Sequence, residues 1–119
     1  MSTIIRFDPN PTEGMVPSND TPVEAFTTGD TMEKDHAYFA TEDERIMTGV
    51  WECAPSKVDF DSYPVHEMMT ILSGSVTLTH HDDGSSETFT AGDTFFVAKG
   101  SHFTWEITET LRKYYFIAA

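Results

Sequence analysis

Glu67, Cys53, Lys113 and five histidines are the first side chains to weigh for chemistry in this chain. A carboxylate can act as general acid or base when apolar neighbours strip its hydration, and Glu67 stands two and four residues before Met69 and Ile71. The competing reading is a structural Glu67, locked by Lys113, Arg112 or a tyrosine hydroxyl, and the sequence leaves both open. Cys53 has Glu52 beside it, which opposes thiolate formation, so it reads as a small buried filler rather than a nucleophile. His66 and His102 each precede an apolar-face residue, while His80 and His81 adjoin Asp82 and Asp83 in a solvated turn, where a weak adventitious cation site is the sharper alternative. Asp61 and Tyr63 are polar candidates for a cavity rim, or ordinary turn residues before Pro64. Trp51, and Phe103 with Trp105 and Ile107 at period two, would wall an apolar pocket or simply fill a core.

These residues lie on short runs rich in Val, Ile, Thr and aromatics, recurring about every ten residues between turn signals. Strands are expected over Met47–Cys53, Val58–Phe60, His66–Leu72, Ser75–Thr79, Glu87–Thr90, Thr94–Ala98, Phe103–Ile107 and Lys113–Ile117. Asp83-Gly84 favours a turn with positive φ, making Ser75–Thr79 and Glu87–Thr90 the clearest hairpin. Glu106–Leu111 has room for a helical turn, but Thr108 and Thr110 argue against it. On a strand, alternate side chains share a face, so Met69 and Ile71 face with Glu67 while His66 faces away. From Asp8 to Asp35 the prolines and glycines break every period, and an extended arm is expected whose apolar Met15, Val16, Val23, Phe26 and Met32 could dock. The division expected is residues 1–37 for the arm and 38–119 for one β-barrel domain.

The chain's 119 residues suit one domain, and nine Phe, four Tyr and two Trp supply its core. Twenty acidic against seven basic side chains give a net charge of −13, so phosphate backbones and anionic membranes are repelled. Neither a nucleic acid nor a membrane is expected as a partner. A lone cysteine excludes an internal disulfide, and Asp8, Pro9, Pro11 and Glu13 interrupt any signal-like start, so a cytoplasmic protein is expected.

Glu67 followed by six residues and Gly74, then Gly92-Asp93 leading to Lys99-Gly100, resembles the cupin superfamily. With GVWEC at Gly49–Cys53 and the stretch Phe103–Ile117, the chain is similar to small single-domain cupins grouped with ureidoglycine aminohydrolase and ethanolamine-utilisation cupins. The resemblance implies an all-β fold, a double-stranded β-helix or jelly-roll barrel, preceded here by the extended N-terminal arm. It also implies that Glu67 faces the barrel, and that a Glu-to-Lys tie from Glu106 or Glu109 to Lys113 fastens the last strand. Metal-binding cupins place three histidines where this chain has Asp61, Tyr63 and Phe103, which are poor ligands for a transition metal. No metal and no cofactor are therefore expected, although Asp61, Glu67 and water could serve a hard cation.

Three functions follow from that resemblance. The first is a metal-independent cupin that binds a small polar metabolite, as a binding module or an isomerase or hydrolase, with Glu67 catalytic and Trp51, Asp61, Tyr63, Met69, Phe103 and Trp105 lining the site. The second is a metal-dependent enzyme resembling ureidoglycine aminohydrolase, and the third a structural or regulatory dimer with a filled core. In each a homodimer is expected, because a small β domain must protect its edges.

Overall fold

The structure, a computed structural model, describes residues 2–119. Eight antiparallel strands follow in order: β1 (Val16–Pro17), β2 (Glu33–Ala40), β3 (Ile46–Cys53), β4 (Ser56–Phe60), β5 (His66–His80), β6 (Ser86–Thr90), β7 (Thr94–Val97) and β8 (Phe103–Ala118). The described residues include no helix long and apolar enough to cross a membrane.

Two strands organise everything else. β5 and β8 pair along nearly their whole length, from His66↔Ala118 to His80↔Phe103, with register shifts between Ile71 and Val76. Below the shifts β8 adds β3 and β5 adds β7; above them β8 adds β4 and β5 adds β6. One pair of strands thus runs through both walls of the barrel. Gly74 permits the bend: its φ is +84°, and a Cβ there would lie 2.0 Å from the Thr110 carbonyl oxygen. Expected breaks at Leu72–Ser75 and Ile107–Lys113 are therefore corrected to bends inside continuous strands, because the ladder resumes beyond each shift and a strand need not end to turn a corner.

The period-two stripes pack between the walls. Met69, Ile71, Ile107 and Leu111 are almost wholly buried, each such side chain contributing roughly 1.5–3 kcal/mol of transfer free energy. The expected hairpin forms, with Thr77 opposite Thr88 and Gly84 at φ +74°. The N-terminal segment is more structured than an unbroken extended arm. Val16–Pro17 pairs with β2, a 3₁₀ turn spans Val23–Ala25, and β2 begins at Glu33 and runs across positions 37 and 38. Its pairing with β3 from Glu33↔Cys53 to Ala40↔Met47 draws the segment onto the sheet. Docking uses Phe26, which packs on the core, whereas Val16 and Val23 stay exposed.

Candidate functional site

Glu67 lies near the start of β5 and is 4% exposed. Tyr63, in the turn before β5, donates its hydroxyl to Glu67 Oε1 at 2.7 Å, and Lys113 of β8 donates to Oε2 at 2.7 Å. The ammonium also approaches Met69 Sδ at 3.0 Å and sits 4.8 and 4.9 Å from the ring centroids of Trp51 and Trp105. Two indole faces, a thioether and a carboxylate thus replace the water around one buried cation. Burial pushes the Tyr63 hydroxyl pKa up, and the adjacent Glu67 charge pushes it further, so the phenol is a donor here and not a base. The Glu-to-Lys tie exists, but its carboxylate is Glu67: the register sets Lys113 opposite Ile71 on the inner face, while Glu109 is exposed and Glu106 has the opposite parity to Trp105 and Ile107.

A second buried carboxylate, Glu33, continues this interior toward the N-terminal segment. It accepts hydrogen bonds from Trp51 Nε1 (3.0 Å), Ser18 Oγ (3.1 Å) and the backbone N–H groups of Asp20 (3.1 Å) and Thr21 (2.8 Å). Burial opposes its ionisation, but the bonds from Trp51, Thr21 and Ser18 outweigh that and lower its pKa. Burial raises the pKa of nearby Asp20 and Asp35, and Tyr115 donates to Asp35 at 2.9 Å. Sequence reading missed Glu33 because β2 was placed in the arm. Its parity with Asp35, opposite Trp51 of β3, was the available signal.

The remaining expected site residues divide. Tyr63, Glu67, Met69, Trp51 and Trp105 meet in this interior, and Phe103 packs at a tilt beside Tyr63 with ring centroids 5.4 Å apart. Asp61 is exposed and does not join them. Cys53 is buried, its thiol pKa raised by burial, which suits a filler. The donor set does not fit the usual cupin metal. Phe103 offers no ligand atom, Tyr63 and both Glu67 oxygens are engaged with one another and Lys113, and among the described residues no three His, Cys, Asp or Glu side chains converge as a metal site.

Opposite the shared strands, β6 and β7 do not pair with each other, and the barrel opens between them. The opening is a cleft of about 840 Å³. Its floor includes the buried Leu78, Val97 and Phe103, and Phe89 and Phe95 stack at 4.0 Å along it. His80, His102, Lys99, Asp82 and Glu87 bring polar groups to its lining, with His102 Nδ1 3.2 Å from Asp82 Oδ1. An apolar floor with a few convergent polar groups is the usual form of a small-molecule site. Of the expected lining residues only Phe103 reaches it. The others were hidden from sequence reading because Leu78, His80 and the residues of β6 come beside the Thr94–Phe103 stretch only when the barrel closes.

The structure resembles, with a TM-score of 0.81 and 26% identity, a Pseudomonas syringae protein of the DUF861 family, covering 94% of this chain and 46% of that one. A putative ethanolamine utilization protein Q from Salmonella typhimurium shares the fold at TM-score 0.61 and 18% identity, over 73% of this chain and 69% of that one. In sequence, a pyrimidine/purine nucleoside phosphorylase of Laribacter hongkongensis is 39% identical over 57 residues, 48% of this chain and 54% of that protein. The chain thus spans about half the length of that curated relative. The sequence model of the EutQ-like cupin domain matches residues 40–115, which takes in β5, most of β8, the Gly74 bend and the Glu67–Lys113 pair, and the chain belongs to that family.

Proposed function

We propose that this protein is a small-molecule-binding cupin that takes its ligand in the cleft between β6 and β7. The observation that carries this reading is the contrast in accessibility: the cleft is open, while the Glu67 network is closed and its oxygens are occupied. Glu67 then supports the site, holding β5, β8 and the Tyr63 turn together behind Phe103. A second reading retains Glu67 as a general acid or base, because Val97 on the cleft floor is its direct register partner. The charge and composition fit a cytoplasmic protein without a nucleic-acid partner, and the need of a small β domain to protect its strand edges favours a homodimer.

The relative from Laribacter supports a nucleoside as the ligand class. A cleft of this volume suits such a molecule, with the stacked phenylalanines beside the base. In phosphorolysis a phosphate oxygen would bond to the anomeric carbon as the C–N glycosidic bond breaks, the base leaving with its electron pair and taking up a proton. The test is release of free base from purine and pyrimidine nucleosides with and without inorganic phosphate, read by chromatography beside thermal shift. Phosphate-dependent release that falls at least tenfold in His102→Ala, with stability within about 0.5 kcal/mol, supports the reading. Absence of release rejects the nucleoside, and a panel of small polar metabolites that produces no thermal shift rejects the cleft as a binding site.

A further inference from the structure

β6 is an edge strand, bonded only to β5, and its two faces carry different chemistry. Ser86 and Thr88 point away from the cleft: their hydroxyls bond to those of Thr79 and Thr77 on the outer face of β5, each at 2.8 Å. Alternation then turns Glu87 and Phe89 inward, opposite the buried Leu78 and Val76. Phe89 meets Phe95 of β7 in a stack with centroids 4.0 Å apart, at the end of the cleft nearest the Gly74 bend. Glu87 stands one inward position nearer the mouth and lines the cleft.

The Glu87 charge has no partner within the protein. Asp82, the other carboxylate of the cleft, is paired with His102 at 3.2 Å, whereas among the described residues no cation forms an ion pair with Glu87. A carboxylate is an acceptor only, with room for two donors side by side. Its distance from Phe89 narrows which donors these are. Two residues along a strand span about 6.8 Å, so a base lying against the phenylalanines keeps its own N–H groups beside their rings and extends its sugar toward Glu87. The 2′- and 3′-hydroxyls of a ribose are a matching pair of neighbouring donors, and a charged acceptor holds them more firmly than a neutral one.

We propose that Glu87 is the specificity-determining residue of the cleft and reads the vicinal diol of a ribonucleoside, with the base against Phe89 and Phe95. This inference rests on the nucleoside reading above and narrows its substrate class from nucleosides to ribonucleosides. An inward charge on an edge strand is also a device against pairing with another chain, and the experiment separates the two roles.

The experiment is calorimetric titration of the full chain with uridine, 2′-deoxyuridine, 3′-deoxyuridine and adenosine, for the wild type, Glu87→Ala and Glu87→Gln. The wild type is expected to bind uridine at least tenfold more tightly than either deoxy analogue, since a site that hydrogen-bonds a hydroxyl rejects the molecule lacking it. Glu87→Ala is expected to lose at least tenfold for uridine and less than twofold for the analogues while keeping a cooperative melt, so that the preference disappears. Glu87→Gln keeps a polar edge and one acceptor oxygen, so its preference is expected to be intermediate, and it carries the measurement where Glu87→Ala aggregates. A preference for uridine that is absent from the wild type, or undiminished in Glu87→Gln and in any soluble Glu87→Ala, overturns the assignment while leaving the nucleoside reading intact. Aggregation of Glu87→Ala beside an undiminished preference in Glu87→Gln gives Glu87 to edge protection instead. A wild type that binds none of the four overturns the nucleoside reading, and this assignment with it.

Discussion

The interior around Lys113 and the cleft between β6 and β7 are built from the same strands, and they solve opposite problems. In the interior every polar group has a partner: Glu67 accepts from Tyr63 and Lys113, and Glu33 accepts from Trp51 and the N-terminal segment. Among the described residues no buried side-chain nitrogen or oxygen lacks a hydrogen bond. In the cleft His80, His102 and Lys99 reach solvent beside an apolar floor. A saturated buried network resists change and excludes ligands, whereas partly exposed polar groups over apolar surface can exchange water for a ligand. The difference teaches that a side chain can lie inside a barrel and still be closed off from the cleft that opens on it.

The largest effect should come from separating Lys113 from Glu67. Lys113→Met leaves a buried carboxylate without its cation and should cost roughly 3–5 kcal/mol in denaturant titration. Glu67→Gln strands the ammonium and should cost a similar amount, while the double variant Lys113→Met, Glu67→Gln should recover part of the loss. A fully stable Glu67→Gln that has lost ligand binding would reverse the comparison and return Glu67 to catalysis.

A smaller loss is expected at the bend that joins the two regions. Gly74→Ala forces a positive φ and a collision with the Thr110 carbonyl, and strain of this kind costs about 1–3 kcal/mol. Because β5 serves both walls, the lowered melting temperature should be accompanied by weaker ligand binding in the cleft. Unchanged binding would show that the two regions tolerate displacement independently.

The finest test is by pH at the carboxylates of β2. Glu33 has a lowered pKa, so its contribution is present above the unfolded-state value of a glutamate and is lost as pH falls through the folded value. Glu33→Gln should therefore be destabilising at neutral pH, with the deficit shrinking in acid. Asp35 has a raised pKa, so its ionisation costs stability as pH rises through the folded value. Asp35→Asn should be neutral or stabilising at pH 7, and that advantage should vanish below the folded pKa. Parallel pH profiles for the two variants would contradict the assigned causes.

Much of the fold was legible because strand parity is a local property. Met69 and Ile71 follow Glu67 inward, and Phe103, Trp105 and Ile107 form one buried stripe, as alternation alone requires. The Asp83-Gly84 turn was equally readable, since it answers to backbone conformation within a few residues, whereas Gly74 was marked only by the motif resemblance and its bend was expected as a break. The candidate site was less legible. Asp61 and Tyr63 are two residues apart, yet one stays in solvent and the other is buried against Glu67, a division made by the docking of the turn and not by residue type.

The sequence by itself determined an all-β chain, its inward and outward faces, its Asp83-Gly84 turn and an acidic surface, because these follow from alternation, backbone conformation and summed charge. Only the tertiary structure decided that Lys113 answers Glu67 rather than Glu106 or Glu109, that Glu33 ties the N-terminal segment to Trp51, and that β6 and β7 part to leave a cleft. Those outcomes depend on which residues, 18 to 46 positions apart in the paired cases, are brought within 3 Å once the barrel closes. Register across β5 and β8 sets those distances, and the sum of both walls' packing, rather than any local pattern, selects that register.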